Sequence, residues 1–190
     1  MKRARGESLT GGTGDVNPQW MTLSLLTLTA NNQATTQQTQ LPVTRTQGAR
    51  GKATIIEILK VQFFANSINN TPAAGGDLRQ FTVTLSTAAQ ASAAPSIPNT
   101  IAYTNTQFFG AFSAGQSFYA VTNYPIQQDL TDGAGHGVLV ATDSIYLNGV
   151  TFGYAAQGVF GCRILYRFKD VSLTEYIGIV QSQQQPISTV

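Results

Sequence analysis

The segment CRILYRFK, Cys162–Lys169, alternates between two kinds of side chain along its whole length. Apolar residues hold one parity and mostly cationic residues the other: Cys162, Ile164, Tyr166 and Phe168 against Arg163, Leu165, Arg167 and Lys169. Because side chains of a β-strand point alternately to opposite faces, this period of two predicts a strand that is buried on one face. A second layer must then cover the apolar face.

The same signal recurs earlier in the chain. Three apolar residues that should point inward alternate with three polar residues that should point outward: Phe81, Val83 and Leu85 with Thr82, Thr84 and Ser86. Ala53–Phe64 is apolar on both parities and rich in β-branched residues, which is typical of a central strand. A helix over its first half, ATIIEILK, is the alternative, but turn residues flank the segment and no helix cap is present.

The remaining apolar segments bring the count to about eight to ten strands, the last of them over Glu175–Gln181. No stretch shows a convincing helical pattern, so the predicted class is all-β, with the strand spacing of a sandwich or a jelly roll. In Met21–Ala30 the leucines change parity, which predicts a β-bulge near Leu25–Leu26. Asn31–Gln40 is either a loop or a neutral edge strand.

The domain organisation follows from composition. Residues 1–17 are rich in glycine and poor in apolar residues, which predicts a flexible N-terminal arm. Residues 18–182 form the predicted folded body, and residues 183–190 a polar C-terminal tail. Trp20, the only tryptophan, is predicted to anchor the first strand through its large apolar area.

Charge is scarce in this chain. Charged residues make up 11% of the sequence, whereas the surface of a small soluble domain is about 25–35% charged. Either the surface is neutral and hydrated, or other subunits cover much of it, where charge would be costly to desolvate. We favour the second interpretation. The first apolar run, Met21–Ala30, is too short and too polar to span a membrane, and the basic start lacks the apolar segment of a signal peptide.

Catalytic and metal-binding patterns are missing from the sequence. His136 is the only histidine; it lies in a glycine turn near Asp129, Asp132 and Asp143. Zinc would require further histidine or cysteine ligands, and these aspartates lack the spacing of a calcium loop. We therefore interpret His136 as a turn residue and predict no enzymatic activity, cofactor or metal. Cys162 is the only cysteine, so an intramolecular disulfide is impossible.

The cationic residues form three groups. Lys2, Arg3 and Arg5 lie on the arm; Arg45, Arg50 and Lys52 surround one turn; Arg163, Arg167 and Lys169 share one strand face. Contacts to nucleic-acid phosphates need only placed positive charges and are insensitive to base sequence. All nine are candidate nucleic-acid-binding residues. The alternative is that the turn is a solvated loop and the strand a solvated face.

Three stretches carry a resemblance to a known family: MKRARGESLTGGTGDVNPQW at the start, KATIIEILKV, and LTDGAGHGVLVATDSIYL followed by CRILYRFKDVSLTEYIGIVQSQ. They resemble capsid proteins of small circular, Rep-encoding (circovirus-like) single-stranded DNA viruses. The resemblance implies a single jelly-roll β-sandwich of about eight strands that assembles with copies of itself into a T = 1 icosahedral shell of about sixty subunits. It also implies a virion component, assembled inside the host cell with the nucleus as the candidate compartment, whose arm contacts a circular single-stranded DNA genome with low sequence specificity.

One departure from that family concerns the arm. Many of its members begin with a long arginine-rich arm, whereas this arm has three cations. Sixty such arms supply roughly 180 positive charges against on the order of 2,000 phosphates in a minimal genome. Either the other cationic groups also face the genome, or small cations balance most of its charge, or the shell assembles readily without it. The alternative function is an oligomeric β-sandwich that binds a ligand, lectin-like or a trimeric jelly roll.

Overall fold

The computed structural model describes residues 18–28, 33–42, 47–48, 51–68, 78–97, 99–113, 116–123, 126–153 and 157–183. In chain order the strands are β1 (Gln19–Thr22), β2 (Leu26–Leu28), β3 (Thr35–Gln40), β4 (Gln47–Gly48), β5 (Lys52–Ile68), β6 (Leu78–Ser86), β7 (Thr100–Ser113), β8 (Gln116–Asn123), β9 (Gln127–Asp129), β10 (Val138–Val140), β11 (Ser144–Phe152) and β12 (Gly158–Ser172). The helix that follows, α1, spans Leu173–Gln183.

The strands form two antiparallel sheets. In the first, β1 and β2 pair with β12, β12 pairs with β5, and β5 pairs with β4, β9 and β10. The second runs β3-β11-β6-β7-β8. If β1 and β2 count as one broken strand, and β9 and β10 as another, the first sheet has four main strands, and the two sheets have the strand order of a jelly roll, with β8 added at the edge of the second. The predicted all-β, single jelly-roll sandwich of about eight strands is therefore confirmed.

The main core lies between the two sheets. The two alternating segments predicted from sequence meet there: Cys162, Ile164 and Tyr166 from β12, and Phe81, Val83 and Leu85 from β6. Phe81 also packs on Phe160, with ring centroids 4.3 Å apart. Inward-facing apolar residues from both sheets thus supply the burial that stabilises the sandwich.

Strand β5 is buried on both of its faces. Ile56 and Ile58 face the main core, while Ile55 belongs to a second apolar cluster on the outer side of the sheet. This position explains a segment that is apolar on both parities, and it confirms the predicted central strand. The helix considered over ATIIEILK is wrong.

The first strand is interrupted where its leucines change parity. The register with β12 shifts by one residue between Thr22, which pairs with Arg163, and Leu26, which pairs with Phe160. The shift places Leu26 and Leu28 in the core and leaves Leu25 44% exposed. A bulge at this point therefore restores one inward face, as predicted. Asn31–Gln40, considered as a loop or an edge strand, contributes β3 at the edge of the second sheet.

The outward-facing residues of β6 lie where the alternation predicts, and a further layer covers them. Thr82, Thr84 and Ser86 point away from the core, yet all three are buried. Side chains of Gln90 and Asn148 satisfy part of this layer: Thr84 Oγ1 lies 3.1 Å from Gln90 Oε1, and Asn148 Nδ2 donates to Ser86 Oγ at 2.7 Å. The alternating pattern shows that these residues leave the core, but it cannot show that a loop will cover them.

The C-terminal helix contradicts the strand predicted over Glu175–Gln181. Ser172 precedes the helix, and the Glu175 amide donates to its Oγ at 3.2 Å, so that SLTE is a capping-box sequence. Tyr176, Ile179 and Val180 recur at helical spacing and pack against the second apolar cluster. The sequence SLTE is a helix-start signal, but the glycine and the β-branched residues that follow it also suit a strand. The helix ends at Gln183, the first residue of the predicted tail.

Two glycine substitutions test this packing, because they should change the free energy of unfolding in opposite directions. An added Cβ at Gly149 would lie 2.3 Å from Leu28 Cδ2 and 2.8 Å from Leu26 Cδ2, and both leucines are fully buried. Gly149→Ala should therefore lower the free energy of unfolding by about 1–3 kcal/mol through overpacking. A Cβ at helical Gly178 would meet nothing within 4 Å, so Gly178→Ala should raise it by about 0.5–1 kcal/mol. Urea unfolding followed by circular dichroism measures both, and equal effects would contradict the packing described.

Candidate nucleic-acid interface

Five of the nine cations predicted to bind nucleic acid lie outside the described residues: Lys2, Arg3, Arg5, Arg45 and Arg50. Their role stays a prediction. Lys52 begins β5 and is exposed, opposite Ser172 in the register. The Leu173 amide donates to the Gly51 carbonyl at 3.1 Å, so Lys52 lies beside the start of α1.

The other three cations share the outer face of the first sheet, as their parity indicated. Arg167 and Lys169 both pair there with Glu57 of β5. Arg167 Nε donates to Glu57 Oε2 at 2.5 Å, and Lys169 Nζ lies 3.6 Å from Glu57 Oε1. The Glu57 carboxylate thus partly neutralises both Arg167 and Lys169, which reduces the positive charge that these two residues can offer to a phosphate.

Glu57 is 0% exposed, so its charge depends on these partners. Burial by itself raises the pKa of Glu57, but hydrogen bonds from Arg167 and the Gly137 amide, with the charges of Lys169 and Arg167, outweigh it and hold the pKa below its ordinary value. The Gly137 amide lies 2.9 Å from Glu57 Oε1. A single acidic residue within an apolar central strand was the sequence signal for this cluster, and we did not use it.

The glycine turn that contains His136 has a structural explanation. Gly135 has a φ of +83°, and an added Cβ at Gly137 would lie 2.2 Å from the Ile58 carbonyl oxygen. Arg167 Nη2 donates to the Gly135 carbonyl at 3.3 Å. The glycines therefore allow the turn to approach β5 closely. There the Gly137 amide donates to Glu57 and the Gly135 carbonyl accepts from Arg167.

His136 lies in this turn, as interpreted from sequence. Its amide donates to Asp132 Oδ1 at 2.8 Å, and its Nδ1 lies 3.2 Å from Asp132 Oδ2. The amide hydrogen bond is the main reason that the pKa of Asp132 lies below its ordinary value. Within the described ranges, no three histidine, cysteine, aspartate or glutamate residues lie close enough together to hold a metal ion.

Trp20 does not anchor the first strand in the core. Its neighbour Met21 has the inward parity and packs against the core, which leaves Trp20 on the outer face with 47% of its surface exposed. There the Arg163 guanidinium lies over the indole, 4.8 Å from the ring centroid. Arg163 Nε also donates to Gln62 Oε1 at 2.6 Å. A cation–π pair thus replaces the expected core contact.

Arg163 and Gln62 also line an open depression of about 300 Å³, together with Thr22 and Phe64. The Phe64 ring covers Gly161, where an added Cβ would lie 2.3 Å from the ring. We call Trp20, Thr22, Gln62, Phe64 and Arg163 the Trp20 platform. Sequence reasoning placed Arg163 on this face but not Trp20 or Phe64, because the pairing partners of an outward position cannot be read from one strand.

The described part of the chain contains no helix long and apolar enough to cross a membrane. Exposed large apolar side chains lie at several places on its surface: Trp20, Leu25, Ile126, Phe152, Leu173 and Ile177. The edge strand β3, TTQQTQ, carries no charge. Edge strands of free-standing proteins are commonly protected by charged residues or proline within them, so this edge lacks one usual barrier to contact with another chain.

Comparison with known proteins identifies the fold. No protein-family model matches the sequence, and no curated protein sequence matches it. Among solved structures, a Merkel cell polyomavirus virus-like particle matches 100% of this chain and 84% of its own, at 9% identity and a TM-score of 0.53. VP1 of trichodysplasia spinulosa-associated polyomavirus, in complex with GM1 oligosaccharide, matches 82% and 95% at 12% identity and a TM-score of 0.48. VP1 of human polyomavirus 12, in complex with 3'-sialyllactosamine, matches 80% and 90% at 10% identity and a TM-score of 0.47.

At these identities the similarity is one of fold. The Merkel cell polyomavirus structure agrees with the jelly-roll strand order described above. These structures are of polyomavirus proteins, so they leave the resemblance to small circular single-stranded DNA viruses as a prediction.

The Glu57 cluster yields a prediction for stability and its pH dependence. Glu57→Gln removes the buried charge that Arg167 and Lys169 contact, and should lower the free energy of unfolding by about 2 kcal/mol at pH 7. Because the folded-state pKa of Glu57 is below the ordinary 4.5, its contribution is present above that pH and is lost as pH falls below it. The difference between wild type and variant should therefore shrink on acidification.

Urea unfolding at several pH values between neutral and strongly acidic measures this difference. Asp129→Asn is the control: Asp129 is exposed, lies 3.8 Å from Lys60 and accepts hydrogen bonds from Thr131, so its effect and its pH dependence should be smaller than those of Glu57→Gln. A Glu57→Gln effect that is small, or that does not change with pH, would show that the cluster does not stabilise the fold.

Proposed function

We propose that this chain is a viral capsid subunit that assembles with copies of itself into a small icosahedral shell, T = 1 with about sixty copies, around a circular single-stranded DNA genome. The observation that carries the proposal is a jelly-roll sandwich with an unusually uncharged sequence, 11% charged residues. A closed shell buries much of each subunit against its neighbours, and neutral threonine and glutamine are cheaper to desolvate there than charges.

Features of the described surface support burial between copies. The edge of β3 is neutral, and Leu25, Ile126 and Phe152 are exposed apolar residues on other segments of the chain. Interfaces combine such apolar positions with a polar rim. The fold similarity to a Merkel cell polyomavirus virus-like particle adds that a jelly roll of this kind occurs in a virus-like shell.

In this proposal the cations contact phosphates of the genome and do not recognise its base sequence. Lys2, Arg3 and Arg5 lie on the arm that enters the folded body at Pro18, and Arg45, Arg50 and Lys52 flank β4 and the start of β5. Arg167 and Lys169 share the charge of Glu57, so they add less. Protein cations then balance a minority of the phosphates, and small cations balance the rest. The protein is accordingly a component of a virion, assembled inside the host cell, with the nucleus as the proposed compartment.

The assembly state of the full-length protein tests this proposal. Size-exclusion chromatography followed by negative-stain microscopy should reveal closed particles on the order of 20 nm across, as expected for about sixty small subunits. A discrete trimer would favour the ligand-binding jelly roll instead. A monomer at all concentrations would contradict both functions.

Removal of residues 1–10 separates assembly from genome contact. Because the proposed shell contacts are made by the folded body, the truncated protein should still form particles, but with a lower ratio of absorbance at 260 nm to that at 280 nm. The matched control keeps the arm's length and replaces Lys2, Arg3 and Arg5 with glutamine, and it should lower the ratio similarly. Loss of particles on truncation alone would assign the arm a structural role.

A further inference from the structure

We propose that the Trp20 platform is a stacking site for bases of single-stranded nucleic acid, an inference that rests on the proposed capsid function. The platform combines an exposed indole with an arginine over it, beside a concave surface. Proteins that bind single strands without sequence preference use this combination, because every base has a π-face that can stack on an aromatic ring or a guanidinium.

The exposed surfaces are placed for stacking. Nearly half of Trp20 stays open to solvent although Arg163 covers part of it. The hydrogen bond from Arg163 Nε to Gln62 holds the guanidinium in place, and Phe64 forms another wall of the depression. A planar cation fixed beside an aromatic ring offers a base two neighbouring surfaces, at a small cost in side-chain ordering.

Charge distinguishes Arg163 from its neighbours on the same sheet face. Arg167 and Lys169 pair with Glu57, and Lys60 pairs with Asp129. Within the described residues, Arg163 has no carboxylate within 4 Å; its contacts are with Gln62 and Trp20. Its positive charge is therefore available to a phosphate next to a stacked base.

The platform is also close in sequence to the predicted arm. Trp20 follows Pro18 by two residues, and the segment before Pro18 carries Lys2, Arg3 and Arg5. A strand held by those cations has a stacking surface within reach of the point where the arm joins the body. Aromatic residues and arginine are also common in protein–protein interfaces, so contact with a second copy is the competing outcome in the tests below.

The single tryptophan makes the site directly observable. Intrinsic fluorescence of the full-length protein, kept dilute and shown by light scattering to be unassembled, is titrated with an oligothymidylate of about twelve nucleotides. Stacking of a base on Trp20 should quench the emission. An abasic oligonucleotide of equal length, which keeps the phosphates but has no bases, should quench much less.

Variants assign the contact to the platform, with binding followed by the fluorescence anisotropy of a labelled oligothymidylate. Trp20→Ala should weaken binding about tenfold, and Arg163→Lys, which keeps the charge but loses the planar group, should weaken it several-fold. Phe152→Ala is the matched control: Phe152 is as exposed as Trp20, 47% in each case, but lies on the second sheet, so its loss should leave the affinity unchanged.

Equal quenching by the abasic and base-bearing oligonucleotides, or equal loss of affinity in Phe152→Ala, would overturn the stacking site. So would emission that changes on assembly but not on addition of oligonucleotide, because Trp20 would then lie between copies. Particles that form without base-dependent quenching would overturn this inference but leave the proposed function intact. Base-dependent quenching by a protein that forms no particles at any concentration would overturn the proposed function but leave this inference intact.

Discussion

The pairing of β5 with β12 is the constraint on which the rest of the structure depends. It joins Lys52 to Ser172 at one end and Ile68 to Gly158 at the other, so it pairs residues that are 90 to 120 positions apart in the chain. β12 also carries the first strand, and β5 carries β9 and β10. Because apolar layers cover both faces of β5, the Glu57 charge in its middle needs cationic partners, which β12 supplies. The three cations of this sheet face therefore differ. Arg167 and Lys169 pair with Glu57, whereas Arg163 has no carboxylate partner among the described residues.

Sequence reasoning found the elements whose burial follows from the pattern of apolar residues along a single strand. The alternations in β6 and β12, the double-sided apolar β5 and the leucine parity change at the bulge all reflect one-face or two-face burial. It failed where tertiary context decides. α1 was predicted as a strand because its residues also suit a strand, Trp20 was expected to anchor the first strand through apolar burial, and the covering of Thr84 by Gln90 depends on how the segment after β6 folds back. The candidate site required pairing across strands, which a single sequence does not reveal.

Low charge and a closed jelly roll support the same function. A sandwich of this size could be soluble alone with a charged surface, yet this chain uses threonine, glutamine and serine where charges are usual. Some of the cations are paired on the sheet, as Arg167 is, and others lie in the arm and near β4 in the sequence. Neutral surface suits contact between like subunits, and the small set of placed cations suits phosphates. The Trp20 platform would add base stacking to what those charges provide.

The central claim is that the folded chain is one subunit of a closed shell, and particle mass tests it most directly. Charge-detection mass spectrometry of full-length protein purified without added nucleic acid should show a narrow species at about sixty times the chain mass of 20.3 kDa. Any nucleic acid enclosed would add mass to that value. A dominant species of one or three chains at every protein concentration would contradict the account.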